Sequence, residues 1–189
     1  MQQQMSGSVY RREGETTLLE IRLREVRQLF NTLDPAPFHE KDLDPAAERY
    51  LTDACAEAGA HRQLRLVVHL PAAEAASEAA RTLPAAIHHY FGYRERQLGA
   101  DLRQLLRYGL ASLVIGLAFL VACLTVRRAL AGGALAPDHA ILDEGLLILG
   151  WVAMWRPTEL LLYDWWPLAR RRRLLRRLAA LPVEVRIRD

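Results

Sequence analysis

Two cysteines in 189 residues cannot form a disulfide framework. Cys55 falls in a charged region and Cys123 in an apolar run, so no bridge between them is expected. Lysine is nearly missing: apart from Lys41 the basic side chains are arginine. Base bias in the gene is the simplest source of that skew, and selection for planar guanidinium pairing the second. No GxxxxGK, GxGxxG, HExxH, CxxC or GxSxG occurs, which removes the common phosphate, dinucleotide, zinc and nucleophile-elbow chemistries. His88 and His89 are neighbours and project differently from a helix, a poor arrangement for a metal. Neither metal nor cofactor is therefore expected. A net charge of +3 is too small to argue for nucleic acid. The opening MQQQMSGSVYRREGE lacks the apolar core of a cleavable signal and reads, over residues 1–15, as a polar disordered tail.

Residues 16–103 carry the pattern of a small α/β domain. Leu19, Ile21 and Leu23 alternate with Glu20, Arg22 and Arg24, the period of a half-buried strand. FNTLDPAPFHEKDLDP, with three prolines, reads as an ordered loop. Asp44-Pro45 supplies an N-cap and a first-turn proline for a helix that Gly59 ends. Leu64, Leu66, Val68 and Leu70 then alternate as a second strand, so strand, helix and strand suggest a βαβ unit with a parallel pair. AAEAASEAARTL is helical by propensity, Pro84 is expected to start a fresh helix, and Gly92 and Gly99 are places for a break.

Tyr108 to Val126 gives 19 residues without a charge, about 28 Å of helix, within a first transmembrane helix placed at 104–128. Ser112 with Gly116, and Ala118 with Ala122, are small-xxx-small pairs that let another helix approach, although small residues are also simply common in such helices. Residues 129–140, with Gly132-Gly133 and Pro137, form a connecting external loop. A second transmembrane helix follows at 141–166, with Asp143 and Glu144 placed favourably for its dipole. Residues 167–181 hold six arginines, Arg170, Arg171, Arg172, Arg173, Arg176 and Arg177, with Leu174, Leu178 and Leu181 at helical spacing. That is a basic amphipathic helix suited to anionic lipid headgroups. Val183, Val185 and Ile187 alternate as a last strand, over 182–189, which needs a sheet to join. The fold expected is a membrane α-helical hairpin plus a small α/β domain, its βαβ unit completed by a third strand from the C-terminus. Arginines before the first span and after the second place both termini in the cytoplasm.

The second span carries Arg156, Pro157, Glu159 and Asp164. Its two Ile, one Val and seven Leu contribute roughly −3 to −6 kcal/mol to insertion, and one central Arg and one Glu cost roughly 5 to 7. Such a helix is about neutral alone and needs a neighbour. Arg156 and Glu159, three apart, can pair on one face. Four readings stay open: a self-neutralising pair; Arg156 as the inner end of a shorter span, with Trp151, Trp155, Trp165 and Trp166 as an aromatic belt; a subunit interface or polar pathway; and an enzyme using His39, Glu40 and Asp42 near the headgroups.

LDPAPFHEKDLDPAAERYL and EGLLILGWVAMWRPTELLLYDWWP resemble stretches in a group of small bacterial two-span inner-membrane proteins with no assigned activity. The resemblance covers most of the chain and implies an inner-membrane location without a transferable activity. The expected role is a non-enzymatic scaffold or interaction protein, a homo-oligomer or a subunit of a larger membrane complex, assembling through the hairpin. A small channel or transporter subunit with Arg156 and Glu159 lining a polar path is the alternative. Arg156, Glu159 and Asp164 are the first residues to test.

Overall fold

Among the described residues the chain first turns at Gly14, whose φ of 63° suits a residue without a Cβ. It joins β1 (Arg12–Glu13) to β2 (Thr16–Arg22) as an antiparallel pair. The computed structural model describes residues 11–31, 33–35, 41–59, 63–131 and 140–188. β3 (Gln63–Leu70) runs parallel to β2, with Leu19 beside Leu66 and Ile21 beside Val68. β4 (Val183–Ile187) lies parallel on the other side of β3, with Val185 beside Val68. The result is a small mixed sheet of order β1-β2-β3-β4, one strand more than expected. The extra strand comes from the stretch read as a disordered tail, whose residues 1–10 lie outside those described. Two residues are too few for period-two patterning to reveal.

Paired residues on neighbouring strands point to the same side. One face of the sheet thus carries Thr17, Leu19, Leu64, Leu66, Val68 and Leu70, all buried. The other carries Glu13, Glu20, Arg65, His69, Glu184 and Arg186 around the buried Leu18 and Val67. There Arg186 binds both Glu13 and Glu184, and Arg65 reaches Glu184 at 3.1 Å. A single 3-10 turn, Val26–Leu29, is boxed by Glu25 and Gln28, and a bridge between Phe30 and Leu43 closes the base of the proline-rich loop.

Helix α1 (Pro45–Glu57) starts where Asp44 Oδ1 accepts the backbone N–H of Ala46 at 2.8 Å. After β3, α2 (Ala72–Ala75) is one turn long, and Ser77 interrupts the alanine-rich run by accepting the Ala80 N–H. α3 (Glu78–Ala131) then continues for 54 residues. Pro84 does not begin it, and neither Gly92 nor Gly99 breaks it. Pro84 lies seventh in the helix, and Ala80, the residue whose carbonyl it leaves unpaired, is buried beside Leu83 and Ile87 in the core. α4 (Ala140–Glu159), a π-helical turn (Leu160–Asp164) and α5 (Trp165–Ala179) follow one another directly. The expected loop shrinks accordingly, and its residues 132–139, with Gly132, Gly133 and Pro137, lie outside those described.

The chain divides into two compact units, Met1–Gln97 with Arg171–Asp189, and Leu98–Arg170. The first contains the sheet, and its core includes Leu51, Cys55, Leu83, Ile87, Phe91, Leu175 and Leu178. The second is helical. Within it the later part of α3 lies against α4 and the π turn, and three glycines set the approach. A Cβ on Gly116 would sit 2.9 Å from the Ala153 carbonyl oxygen, and one on Gly150 would sit 2.6 Å from a Leu120 methyl. Gly109 faces Leu160 and Leu161 in the same way. Two helical stretches, Glu78–Ala129 and Glu144–Ala179, are long and apolar enough to cross a membrane. Only 17% of either apolar window is buried, whereas the core helix of a water-soluble fold would be mostly covered.

Candidate functional site

Pro157 has no N–H, so the carbonyl of Ala153 loses its helical donor. That carbonyl is the one against which Gly116 packs, where a Cβ would lie 2.9 Å from its oxygen. Three residues later the helix widens into the π turn, with i→i+5 bonding in place of i→i+4. The consequence is rotational. An α-helix advances about 100° per residue, so residues eight apart are about 80° out of line. A π turn between them removes about that much, and Asp164 comes round to the face of Arg156.

Arg156 Nη1 donates to Glu159 Oε2 at 3.0 Å and lies 3.6 Å from Asp164 Oδ2. The three residues singled out in the sequence are therefore one cluster, two carboxylates about one guanidinium. Both contacts use Nη1, and the Nε and Nη2 donors of Arg156 have no partner among the described residues. The Arg156 side chain is 65% exposed, on the side of α4 away from α3. Trp151, Val152, Trp155 and Leu162 are likewise exposed.

The level of the cluster along the helix pair follows from the register. Gly116 lies opposite Ala153–Met154, and Gly109 opposite Leu160–Leu161. Arg156 is thus level with Leu113 and Val114. The charge-free stretch Tyr108–Val126 is centred on Leu117, so Arg156 is about 5 Å from its middle and Glu159 about 10 Å, at about 1.5 Å per residue.

Below the cluster the two helical segments of this unit leave a groove of about 750 Å³, lined by Asp101, Gln104, Leu105, Tyr108, Tyr163, Asp164, Pro167 and Leu168. Asp101, Gln104 and Tyr108 were not singled out in the sequence, although their i, i+3, i+7 spacing puts them on one helix face. Of the small-residue pairs, Gly116 is buried and Ser112 half-buried on the side facing α4. Ala118 and Ala122 are exposed and take no part in the helix pair.

The arginines of α5 divide into two kinds. Arg172 and Arg176 both donate to Glu95, at 2.7 and 3.1 Å, and these bonds hold the Glu95 carboxyl below the usual carboxylate range. Arg177 donates to the Gly59 carbonyl, and Arg171 lies 4.0 Å from Glu48. Arg170 and Arg173 have no ion pair among the described residues. The apolar side of this helix is not left for lipid: Leu175, Leu178 and Leu181 are buried in the sheet-containing unit. Of the leucines read as its apolar stripe, Leu178 and Leu181 are thus used by a protein core and Leu174 is half-buried.

A polar pocket of about 290 Å³ in that unit gathers Asn31, Asp42, Glu48, Tyr90, Tyr93 and Arg94. Glu48 accepts from Tyr90 Oη at 2.9 Å and from Arg94 at 3.2 Å. Burial first, then the bond to Glu48, push the Tyr90 phenol well above its ordinary value. Of the proline-loop residues considered for catalysis, Asp42 lines this pocket, whereas His39 and Glu40 lie outside the described residues. His88 Nε2 is 2.7 Å from the Leu181 carbonyl, a structural use of that ring. Cys55 is buried, which raises its thiol pKa, and Cys123 is buried between the helices. Among the described residues no three His, Cys, Asp or Glu side chains are grouped to hold a metal ion. Comparisons with protein-family models, curated proteins and solved structures find no match to this chain.

Proposed function

We propose that this chain is a two-span protein of the bacterial inner membrane and that its role is non-enzymatic. It acts as a scaffold or interaction module that assembles with further copies through the outer face of α4. The observation that carries this reading is the Arg156–Glu159–Asp164 cluster, open on the outside of an apolar helix and close to the middle of the charge-free span. Ionisable groups at such a depth cost about 2.5 to 3.5 kcal/mol each on the insertion scale. A second copy lowers that cost by supplying acceptors for the unused Arg156 donors and by excluding lipid. The cluster is self-complementary, since each copy brings both signs.

The orientation with both termini in the cytoplasm has two supports. Arginines are concentrated on the two segments that flank the hairpin. The sheet unit also draws residues from both flanks, β2 and β3 from before the spans and β4 from after them, and a compact unit is not divided by a bilayer.

The test is the mass of the detergent-solubilised particle. Arg156→Leu and Glu159→Leu should each shift it toward smaller species, and the double substitution should recover part of the loss. The pair coupling expected is roughly 0.5 to 3 kcal/mol. Strict additivity, or a monomer at all concentrations, overturns the proposal. Continuity between the groove and the cluster, both of which use Asp164, favours a second reading as a small channel or transporter subunit. Flux through reconstituted vesicles, lost in Glu159→Gln while assembly persists, would select it.

A further inference from the structure

We propose that the groove between α3 and the Tyr163–Leu168 segment binds the headgroup of an amine-bearing phospholipid. The inference rests on the membrane-spanning reading but not on oligomerisation. Tyr108 marks the end of the charge-free stretch, so the groove lies at the level where hydrocarbon gives way to headgroups. Its walls combine apolar surface from Leu105, Pro167 and Leu168 with two carboxylates brought from different helical segments, Asp101 and Asp164. Asp101 has no partner among the described residues, and Asp164 only the 3.6 Å contact to Arg156. Tyr108 and Tyr163 are 61% and 68% exposed, and the side chains of Gln104, Tyr108 and Tyr163 are likewise without partners there. A primary ammonium satisfies two carboxylates through three N–H donors, and the neighbouring phosphate oxygens accept from the Gln104 amide and a tyrosine hydroxyl. The apolar walls favour a lipid over a free amine, because acyl chains cover them while the headgroup stays at the polar end.

The choice of lipid is opposite to what the arginine-rich sequence suggests. Arg172 and Arg176 are already engaged by Glu95, while the groove presents carboxylates. The full chain, reconstituted in nanodiscs of equimolar phosphatidylethanolamine, phosphatidylcholine and phosphatidylglycerol, is extracted gently, and its retained lipid is identified by mass spectrometry. The ethanolamine lipid should be retained at least several-fold over the choline lipid, whose quaternary ammonium donates no hydrogen bond. Asp101→Asn should abolish that preference while leaving particle mass unchanged, and Asp101→Glu should restore it. Preferential retention of the glycerol lipid, equal retention of all three, or a preference unaltered in Asp101→Asn overturns the inference. A monomeric particle that still selects the ethanolamine lipid sinks the assembly proposal and leaves this one standing.

Discussion

At Gly116 a single hydrogen in place of a methyl allows two helices to meet. Because the obstacle to a Cβ is the backbone oxygen of Ala153, Gly116→Ala forces the helices apart, with an expected cost of about 1 to 3 kcal/mol. Gly150→Ala meets only the far end of the Leu120 side chain and should cost less. Gly145→Ala meets nothing and should be neutral or stabilising through helix propensity. Denaturation of the solubilised protein ranks the three, and any other order removes the close approach as the reason for glycine at 116. Glu95 offers a second residue-level test. Its carboxyl is held below the ordinary value of 4.5 by Arg172 and Arg176. A group depressed in this way stabilises the fold fully above its unfolded-state value, and the contribution fades as pH falls through the lower folded-state value. Thermal stability should therefore drop on acidification below about 4.5, and Glu95→Gln should lower stability near neutrality while flattening that acid limb. An unchanged acid limb would mean that the α5 arginines do not hold Glu95.

Among the elements, the π turn is the one whose geometry makes the sharpest demand. It accommodates one residue more than an α-helix would between Arg156 and Asp164, while keeping both on one face. Excising exposed Leu162 should restore an ordinary i, i+7 relation, leaving the cluster and the helix pairing intact. Excising exposed Val152 instead rotates Gly150 about 100° from Leu120 and should disrupt the hairpin. Disulfide trapping between Cys123 and an engineered cysteine at 150, whose Cβ would lie 3.7 Å from that of Cys123, reads both outcomes, and equal trapping in the two deletions would refute the assignment. The elements also show where sequence patterns suffice. Leucines alternating at 64–70 and the Asp44-Pro45 pair announce β3 and α1 because each signal is local. The π turn is not legible, since it changes the rotation of residues without changing their polarity. Proline at 84 misleads because the rule that it opens helices acts only through its missing N–H and its ring, and six residues of helix already precede it. The leucines of α5 declare an amphipathic helix correctly but are silent on what covers them; burial of Leu175 and Leu178 decides that in favour of protein.

In chain order, two apolar helices fall between strands of one sheet. Single cysteines placed at exposed Arg24 and exposed Arg188, in a background lacking Cys55 and Cys123, should react alike with a membrane-impermeant reagent. Both should be shielded in intact cells and open after permeabilisation. Labelling of one without the other overturns the topology. The candidate cluster was foreshadowed by its cost, because charges in an apolar run are conspicuous. The groove was not, because Asp101 and Gln104 belong to a charged stretch in which nothing marks them out until a second helical segment stands opposite. The position of β4 has a temporal meaning too. β3 pairs on one edge with β2 and on the other with a strand synthesised only after both apolar helices have left the ribosome. Until then Leu66, Val68 and Leu70 form an unfinished edge, open to wrong partners. Under the proposed topology, a nascent polypeptide whose second helix stayed on the far side would never bring that strand home, so completion of the sheet would double as a check on insertion.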